Sequence, residues 1–244
     1  DCIGKRVLVV GMGNSAMDVA SELSQRPMAA RLFVSTRRGV WIFPKYYRGQ
    51  PLDKNPAPAW MPKGLRQWLG ARMVKKLVGR MSDYGLPEPE IGPFESHGTV
   101  SGEFLVRAGS GDITMKPGIE RLDGDGVVFT DGSREAIDVI VWATGYDISF
   151  PFFDEPSFKA DADNRPPPLY KRIMKPGVPD LFYMGLAQPL PTLVNFAEQQ
   201  SKLVAAYLAG QYLPPTPAEM ERIIAADEDY YTGQYYAARR HTIQ

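Results

Sequence analysis

The chain has 244 residues, 44% hydrophobic and 23% charged, which is ordinary globular usage and excludes wholesale disorder. Lys plus Arg is 28 and Asp plus Glu is 28, so there is no basic excess of the kind a dedicated nucleic-acid binder shows. One cysteine, Cys2, and two histidines, His97 and His241, exclude an intrachain disulfide, a CxxC redox pair and a Cys- or His-rich metal centre. At about 150 residues per domain, the length fits one large domain or two modest ones.

The first element is the β-branched run Arg6-Val7-Leu8-Val9-Val10, which reads as a buried parallel strand. It stops at Gly11-Met12-Gly13-Asn14-Ser15-Ala16, after which Met17, Val19, Ala20 and Leu23 recur at near-helical spacing. Arg31 to Ser35 forms a second strand, so the chain opens as strand, glycine turn, helix, strand. Trp41 to Trp60 is rich in aromatic residues and proline and has little period, as expected of a structured loop. Aromatic packing is the simplest role for Trp41, Phe43, Tyr46 and Tyr47, with a place on a substrate or interdomain side as the alternative. Leu65 to Met81 has a helical period, with Leu65, Trp68, Leu69, Met73, Leu77 and Met81 on one side. Arg66, Arg72, Lys75, Lys76 and Arg80 form its solvated face. His97 falls in a loop and reads as structural or solvated.

The period changes between Asp112 and Tyr146. Ile119–Leu122, Val127–Thr130 and Ile137–Trp142 are divided by the Asp-Gly pairs 123–126 and 131–132, which favour tight hairpins, so a small β-meander is expected. Asp154 to Pro179 is proline-rich and irregular. Leu181-Phe182-Tyr183-Met184 reads as a short strand and Thr192 to Ala209 as a long helix closed by Gly210. Thr216-Pro217-Ala218-Glu219 is a capping box with proline at the first helical position, so a further helix follows. The longest uncharged run, Leu181 to Ala197, contains two prolines and is short of the roughly 20 residues of a membrane span. With no signal pattern at its start, the protein is expected to be cytoplasmic.

Gly11-x-Gly13-x-x-Ala16 has the form of a dinucleotide fingerprint. Gly11 permits the tight turn, Gly13 lets a pyrophosphate approach the backbone, and Ala16 lets helix and strand pack closely. The unpaired N–H groups of the helix N-terminus, at Asn14, Ser15 and Ala16, suit a phosphate. The second strand ends Ser35-Thr36-Arg37-Arg38, and no carboxylate occurs between Glu22 and Asp53. An NAD site normally places an acid there, whereas guanidinium groups suit the 2′-phosphate of NADP. Arg37 and Arg38 therefore predict NADP rather than NAD.

Gly11 to Asp18 resembles the NADPH fingerprint of flavin-containing monooxygenases, the class B flavoprotein monooxygenases. Ala143-Thr144-Gly145-Tyr146 resembles the ATGY motif of that family. Leu181 to Gly185 and Phe196 to Gln200 resemble its C-terminal flavin-contact strand and helix. The resemblance implies an α/β fold: a Rossmann-like, three-layer NADP-binding domain with a small β-meander over residues 1–146, then a C-terminal portion of an FAD-binding domain with a helical tail over 147–244. It implies NADP and FAD as cofactors, and a small-molecule substrate and O2 as partners. Hydride would pass from NADPH to FAD, and O2 would be activated as a C4a-(hydro)peroxyflavin. Thr144 and Gly145 would lie where the NADPH domain crosses back to the FAD domain. Gln188, Pro191 and Thr192 would face the flavin, with a plain helix cap as the alternative. The family's first, FAD-binding glycine fingerprint is not in this sequence, so the chain is expected to be a fragment lacking the N-terminal FAD-binding part. No side chain is assigned as catalytic acid or base, no metal is expected, and a homodimer is left open. A Baeyer–Villiger monooxygenase shares this plan, pyridine nucleotide-disulfide reductases share its two-nucleotide architecture, and a non-catalytic NADP-binding module remains an alternative of another kind.

Overall fold

The computed structural model describes residues 1–54, 60–90, 92–93, 98–187 and 193–235. The chain divides into two compact units, Asp1–Gly145 and Tyr146–Gln244.

The first unit is built on four parallel strands. They are β1 (Arg6–Val10), β2 (Arg31–Ser35), β7 (Thr114–Lys116) and β11 (Val139–Trp142), in the order β11-β1-β2-β7. Between β2 and β7 lie β3 (Ile42–Phe43), β4 (Tyr46–Tyr47), β5 (Gln50–Pro51), α2 (Lys63–Val78), β6 (Thr99–Val100) and α3 (Phe104–Gly109). Successive side chains of a strand point to opposite faces, and the core follows that rule. Val7, Val9 and Val34 pack with Ala16, Met17 and Ala20 of α1 (Asn14–Leu23). Leu8 and Phe33 face the other way, against Val127, Phe129 and Ile137. The result is three layers: helix, parallel sheet and antiparallel meander. Each fully buried side chain of this kind contributes about 1.5–3 kcal/mol, so Phe33→Ala, which also leaves a cavity, would cost about 3–5 kcal/mol.

The meander differs from the sequence reading in its third strand. It consists of β8 (Ile119–Asp123), β9 (Gly126–Phe129) and β10 (Arg134–Ala136). Val139–Trp142 leaves it and pairs in parallel with β1, Val7 opposite Val139 and Val10 opposite Trp142. Arg6 fixes this crossover. Its backbone N–H and Nε donate to Asp138 Oδ2 at 2.8 and 3.0 Å, and its outer nitrogen reaches Oδ1 at 2.5 Å. That guanidinium and backbone N–H hold the Asp138 carboxyl well below the usual carboxylate range.

The stretch expected as loop carries short strands. β3 pairs in parallel with β6, while β4 and β5 form a hairpin whose turn residues, Arg48 and Gly49, both have positive φ (51° and 75°). Trp41 and Phe43 are buried, as aromatic packing requires, but Tyr46 is exposed. The α2 helix ends at Gly79 rather than running to Met81, which begins a 3-10 turn. Its expected apolar face is not the buried one. Leu65, Trp68, Leu69 and Leu77 are 41–58% exposed, and Val74 and Val78 face the core instead. Arg72 lies over Trp68, with 5.8 Å from the guanidinium carbon to the ring centre.

In the second unit, Tyr170, Ile173, Met174 and Met220 form a small core with side chains from α4 (Leu193–Leu208) and α5 (Pro217–Tyr235). The expected strand at Leu181–Met184 is reduced to one bridge, Met174 with Phe182. Positive φ angles at Lys171, Arg172 and Asp180 turn the chain before a ladder can extend. The capping box forms: the Thr216 N–H and hydroxyl both donate to Glu219 Oε2, at 3.0 and 2.8 Å. Gln200, 3% exposed, is satisfied at both ends of its amide. It accepts from the Gly185 N–H at 2.9 Å and donates to the Arg172 carbonyl at 3.0 Å. The Tyr170 and Tyr212 hydroxyls meet at 2.7 Å, and burial together with that bond pushes the Tyr212 phenol up to about 12. No helix among the described residues is long and apolar enough to cross a membrane.

Candidate functional site

All four sheet strands are parallel, and Val10 is level with Ser35 and Trp142, as Ser35 is with Lys116. The loops that follow them therefore leave from one edge of the sheet. That edge collects Gly11–Ala16, Thr36–Arg38, Pro117–Gly118 and Ala143–Gly145, and it is where open α/β sheets bind ligands.

Gly11 and Val10 between them tie the end of β1 to both of its neighbours. Its N–H donates to the Ser35 carbonyl at 3.0 Å, and the Ala143 N–H donates to the Val10 carbonyl at 2.9 Å. Its φ is +131°, and a Cβ there would stand 2.2 Å from the Ala143 oxygen. Only glycine fits this junction, which joins the fingerprint to the start of Ala143-Thr144-Gly145. Gly13 is a different case. Its φ of −78° suits any residue, and a Cβ would meet no heavy atom within 4 Å. The space over Gly13 is open, and it lies beside the start of α1.

The first bond into α1 runs from the Met17 N–H to the Gly13 carbonyl at 3.1 Å, so the N–H groups of Asn14, Ser15 and Ala16 precede the helical ladder. No side chain caps them and no acid occupies the first turn. Gly13, Asn14 and Ser15 are exposed, whereas Ala16 is fully buried against the sheet. The positive end of the helix thus faces open space at Asn14 and Ser15, an arrangement suited to a phosphate, whereas Ala16 is buried behind them. Arg37 and Arg38 stand exposed just past β2, and among the described residues neither forms an ion pair. Lys116, the other cation nearby, is held by Glu135 at 2.7 Å. The Thr36 hydroxyl shapes the turn by donating to the Arg38 carbonyl at 2.8 Å. Thr144 and Gly145 are exposed at the same edge.

The structure thus gathers Gly11, Gly13, Asn14, Ser15, Ala16, Arg37, Arg38, Thr144 and Gly145. Gln188, Pro191 and Thr192 lie outside the described residues, as do His97 and His241. Sequence reasoning missed Thr99 and Val100. The Thr99 hydroxyl donates to the Met12 carbonyl at 2.8 Å, and the Val100 N–H donates to Asn14 Oδ1 at 2.9 Å. Together they brace the glycine loop from a distant segment. A polar threonine between Gly98 and Val100 was the only local signal. Among the described residues, no three His, Cys, Asp or Glu side chains come together as a metal site would require.

Residues 2–244 match the family model described as flavin-binding monooxygenase-like. The chain belongs to the flavin-binding monooxygenase-like family. Among the relatives of this flavin-binding monooxygenase-like chain is Flavin-containing monooxygenase 5 of Rattus norvegicus. The two are 33% identical over 251 residues, covering 99% of this chain and 46% of the relative. Dimethylaniline monooxygenase (N-oxide-forming) 2 of Rattus norvegicus is 35% identical over 233 residues, covering 91% and 42%. The chain therefore spans about half the length of the curated relatives it matches. Among solved structures, S-allyl-L-cysteine S-oxygenase from Allium sativum aligns with a TM-score of 0.55 at 22% identity, over 95% of this chain and 39% of that one. A steroid monooxygenase solved with NADP aligns with a TM-score of 0.61 at 15% identity, over 98% and 60%. At these identities the structures establish a shared α/β fold for this flavin-binding monooxygenase-like chain.

Proposed function

We propose that the protein containing this chain is an NADPH- and FAD-dependent monooxygenase acting on a small organic substrate. Asp1–Gly145 is its NADP-binding unit, and Tyr146–Gln244 contributes the C-terminal part of its FAD-binding domain. One observation carries the reading: the uncapped α1 N-terminus opens beneath the empty space at Gly13, and β2 beside it ends in two arginines that form no ion pair among the described residues, with no carboxylate in the sequence between Glu22 and Asp53. FAD, when bound, would supply the redox chemistry between NADPH and O2 that oxygenates the substrate. The chain's own work is binding and orientation. The N–H groups of Asn14, Ser15 and Ala16 hold the pyrophosphate, and Arg37 and Arg38 hold the 2′-phosphate through planar bidentate hydrogen bonds. Thr144 and Gly145 line the exit from the nucleotide unit, and Gln188, Pro191 and Thr192 are assigned to the flavin side. Oxygenation at a heteroatom, as in the name of the rat N-oxide-forming relative, is one form of this activity, and Baeyer–Villiger chemistry on a ketone is the other. A cytoplasmic location belongs to the same reading.

Titration of the chain with NADPH and NADH tests the nucleotide assignment. Arg37→Ala should weaken NADPH by about 1.5–3 kcal/mol, the usual worth of a hydrogen bond between charged groups, and leave NADH nearly unchanged. Equal loss for both nucleotides would remove Arg37 from the site. For the intact protein, product analysis with dimethylaniline and with cyclohexanone separates the two chemistries.

A further inference from the structure

We propose that Gly118 is a specificity-determining position: its bare Cα face is the seat on which the Arg37 stem rests, and this seat aims the guanidinium at a nucleotide 2′-phosphate. The inference rests on the NADP reading above and adds a residue that touches no nucleotide itself. A Cβ built at Gly118 would stand 3.1 Å from Arg37 Cγ and 4.0 Å from Cδ, with Thr130 Cγ2 at 3.7 Å. The first distance is tighter than most side chains accept, so a side chain at 118 would push the Arg37 stem a few tenths of an ångström off its present place. Steric room is the reason for the glycine, because Gly118 is not among the positive-φ glycines.

The seat is fixed from several sides. The Ser35 hydroxyl donates to the Pro117 carbonyl at 2.6 Å. The Thr36 N–H donates to the Lys116 carbonyl at 3.1 Å, and the Thr130 N–H donates to the Gly118 carbonyl at 2.9 Å. Residues 116–118 are thus held to the end of β2 on one side and to the meander on the other. Lys116 cannot substitute for Arg37, because its ammonium is committed to Glu135 at 2.7 Å and Ser133 at 3.3 Å. A long, exposed arginine loses conformational freedom when it binds, and a stem already laid against a rigid turn loses less. Alanine at 118 would lift that stem and swing the guanidinium away without removing it.

The test uses 2′,5′-ADP and 5′-AMP, which differ only in the 2′-phosphate, titrated calorimetrically into the chain. The wild type should prefer 2′,5′-ADP. Gly118→Ala should weaken 2′,5′-ADP about tenfold, the lower end for a charged hydrogen bond, and leave 5′-AMP unchanged. In an Arg37→Ala background the same substitution should add nothing, since the atom it strikes is gone. Thermal melts of all four proteins run alongside: any loss of melting temperature from Gly118→Ala should vanish in the double variant. If Arg37→Ala abolishes the preference but Gly118→Ala retains it, the seat is wrong and the NADP reading stands. Additive losses in the double variant, or equal loss of both ligands, would also overturn the seat. A wild type that binds both ligands alike would remove the NADP reading and the seat with it.

Discussion

The Thr99 hydroxyl donates a 2.8 Å hydrogen bond to the Met12 carbonyl across 87 residues of chain. Both residues are buried, so the bond joins the middle residue of the glycine loop to a strand of a separate small sheet. Thr99→Val keeps the shape and removes the donor. A buried carbonyl left without its partner costs about 1–3 kcal/mol, which urea unfolding would read. The loosened loop should weaken NADPH and NADH by the same factor. A change in the ratio of the two affinities would mean that Thr99 acts elsewhere.

Gly11 and Gly13 should separate folding from binding. Gly11→Ala combines a φ of +131° with a Cβ 2.2 Å from a backbone oxygen, and that oxygen belongs to a strand end that cannot easily retreat. Strain of about 1–3 kcal/mol plus the clash should lower the melting point sharply. A Cβ at Gly13 meets no heavy atom within 4 Å, so Gly13→Val should cost little beyond the about 1 kcal/mol of a poorer helix cap. Its branched side chain would fill the phosphate space, and nucleotide binding should fall below detection. A Gly13→Val variant that binds NADPH normally would show that the pyrophosphate lies elsewhere.

Flavin retention is a sharper check on the second unit. Gly11 to Ala16 is the one glycine fingerprint of this form in the sequence, and it is assigned to NADP. This chain purified alone should therefore be colourless while still binding NADPH. A stoichiometric yellow flavin spectrum would place the FAD contacts within these residues and overturn the division of roles between the units.

Acid stability should depend on Asp138. Its carboxyl is held below the usual range, chiefly by the Arg6 side chain. A depressed carboxylate contributes stability above its unfolded value of about 3.9, and that contribution is lost as pH falls through the folded value. Wild-type unfolding free energy should therefore drop on acidification below about pH 4, and Asp138→Asn should flatten that limb. Both side chains are partly exposed, so added salt should shrink the difference. Parallel acid limbs in the two proteins would assign acid sensitivity to other carboxylates.

The parts legible in the sequence are those decided by neighbours in the chain. The β1–α1–β2 opening, the capping box at Thr216 and the helix ending before Gly210 all follow from local period and end signals. Partner choice was not local. Apolar period showed that Val139–Trp142 is an apolar strand but not that it would pair with β1 rather than with the meander. Spacing also gave α2 one apolar face, and it is not the buried one. The larger side chains, Leu65, Trp68 and Leu69, were the more conspicuous, yet the slimmer pair Val74 and Val78 packs inward. At the site, residue type predicted the glycines and arginines. The Thr99 brace and the Gly118 seat needed the folded chain, because each exists only where two distant segments meet.

The strand order has a bearing on how the first unit is made. β1 finds β2 soon after it leaves the ribosome, but its other neighbour, β11, is the unit's final strand. Until Val139–Trp142 has been synthesised, the hydrogen-bonding edge of Val7–Val10 stays open. That edge is apolar on both faces, the kind of template on which a second nascent chain can add a strand. Translation products ending before Val139 should therefore self-associate, and those extending past Trp142 should not.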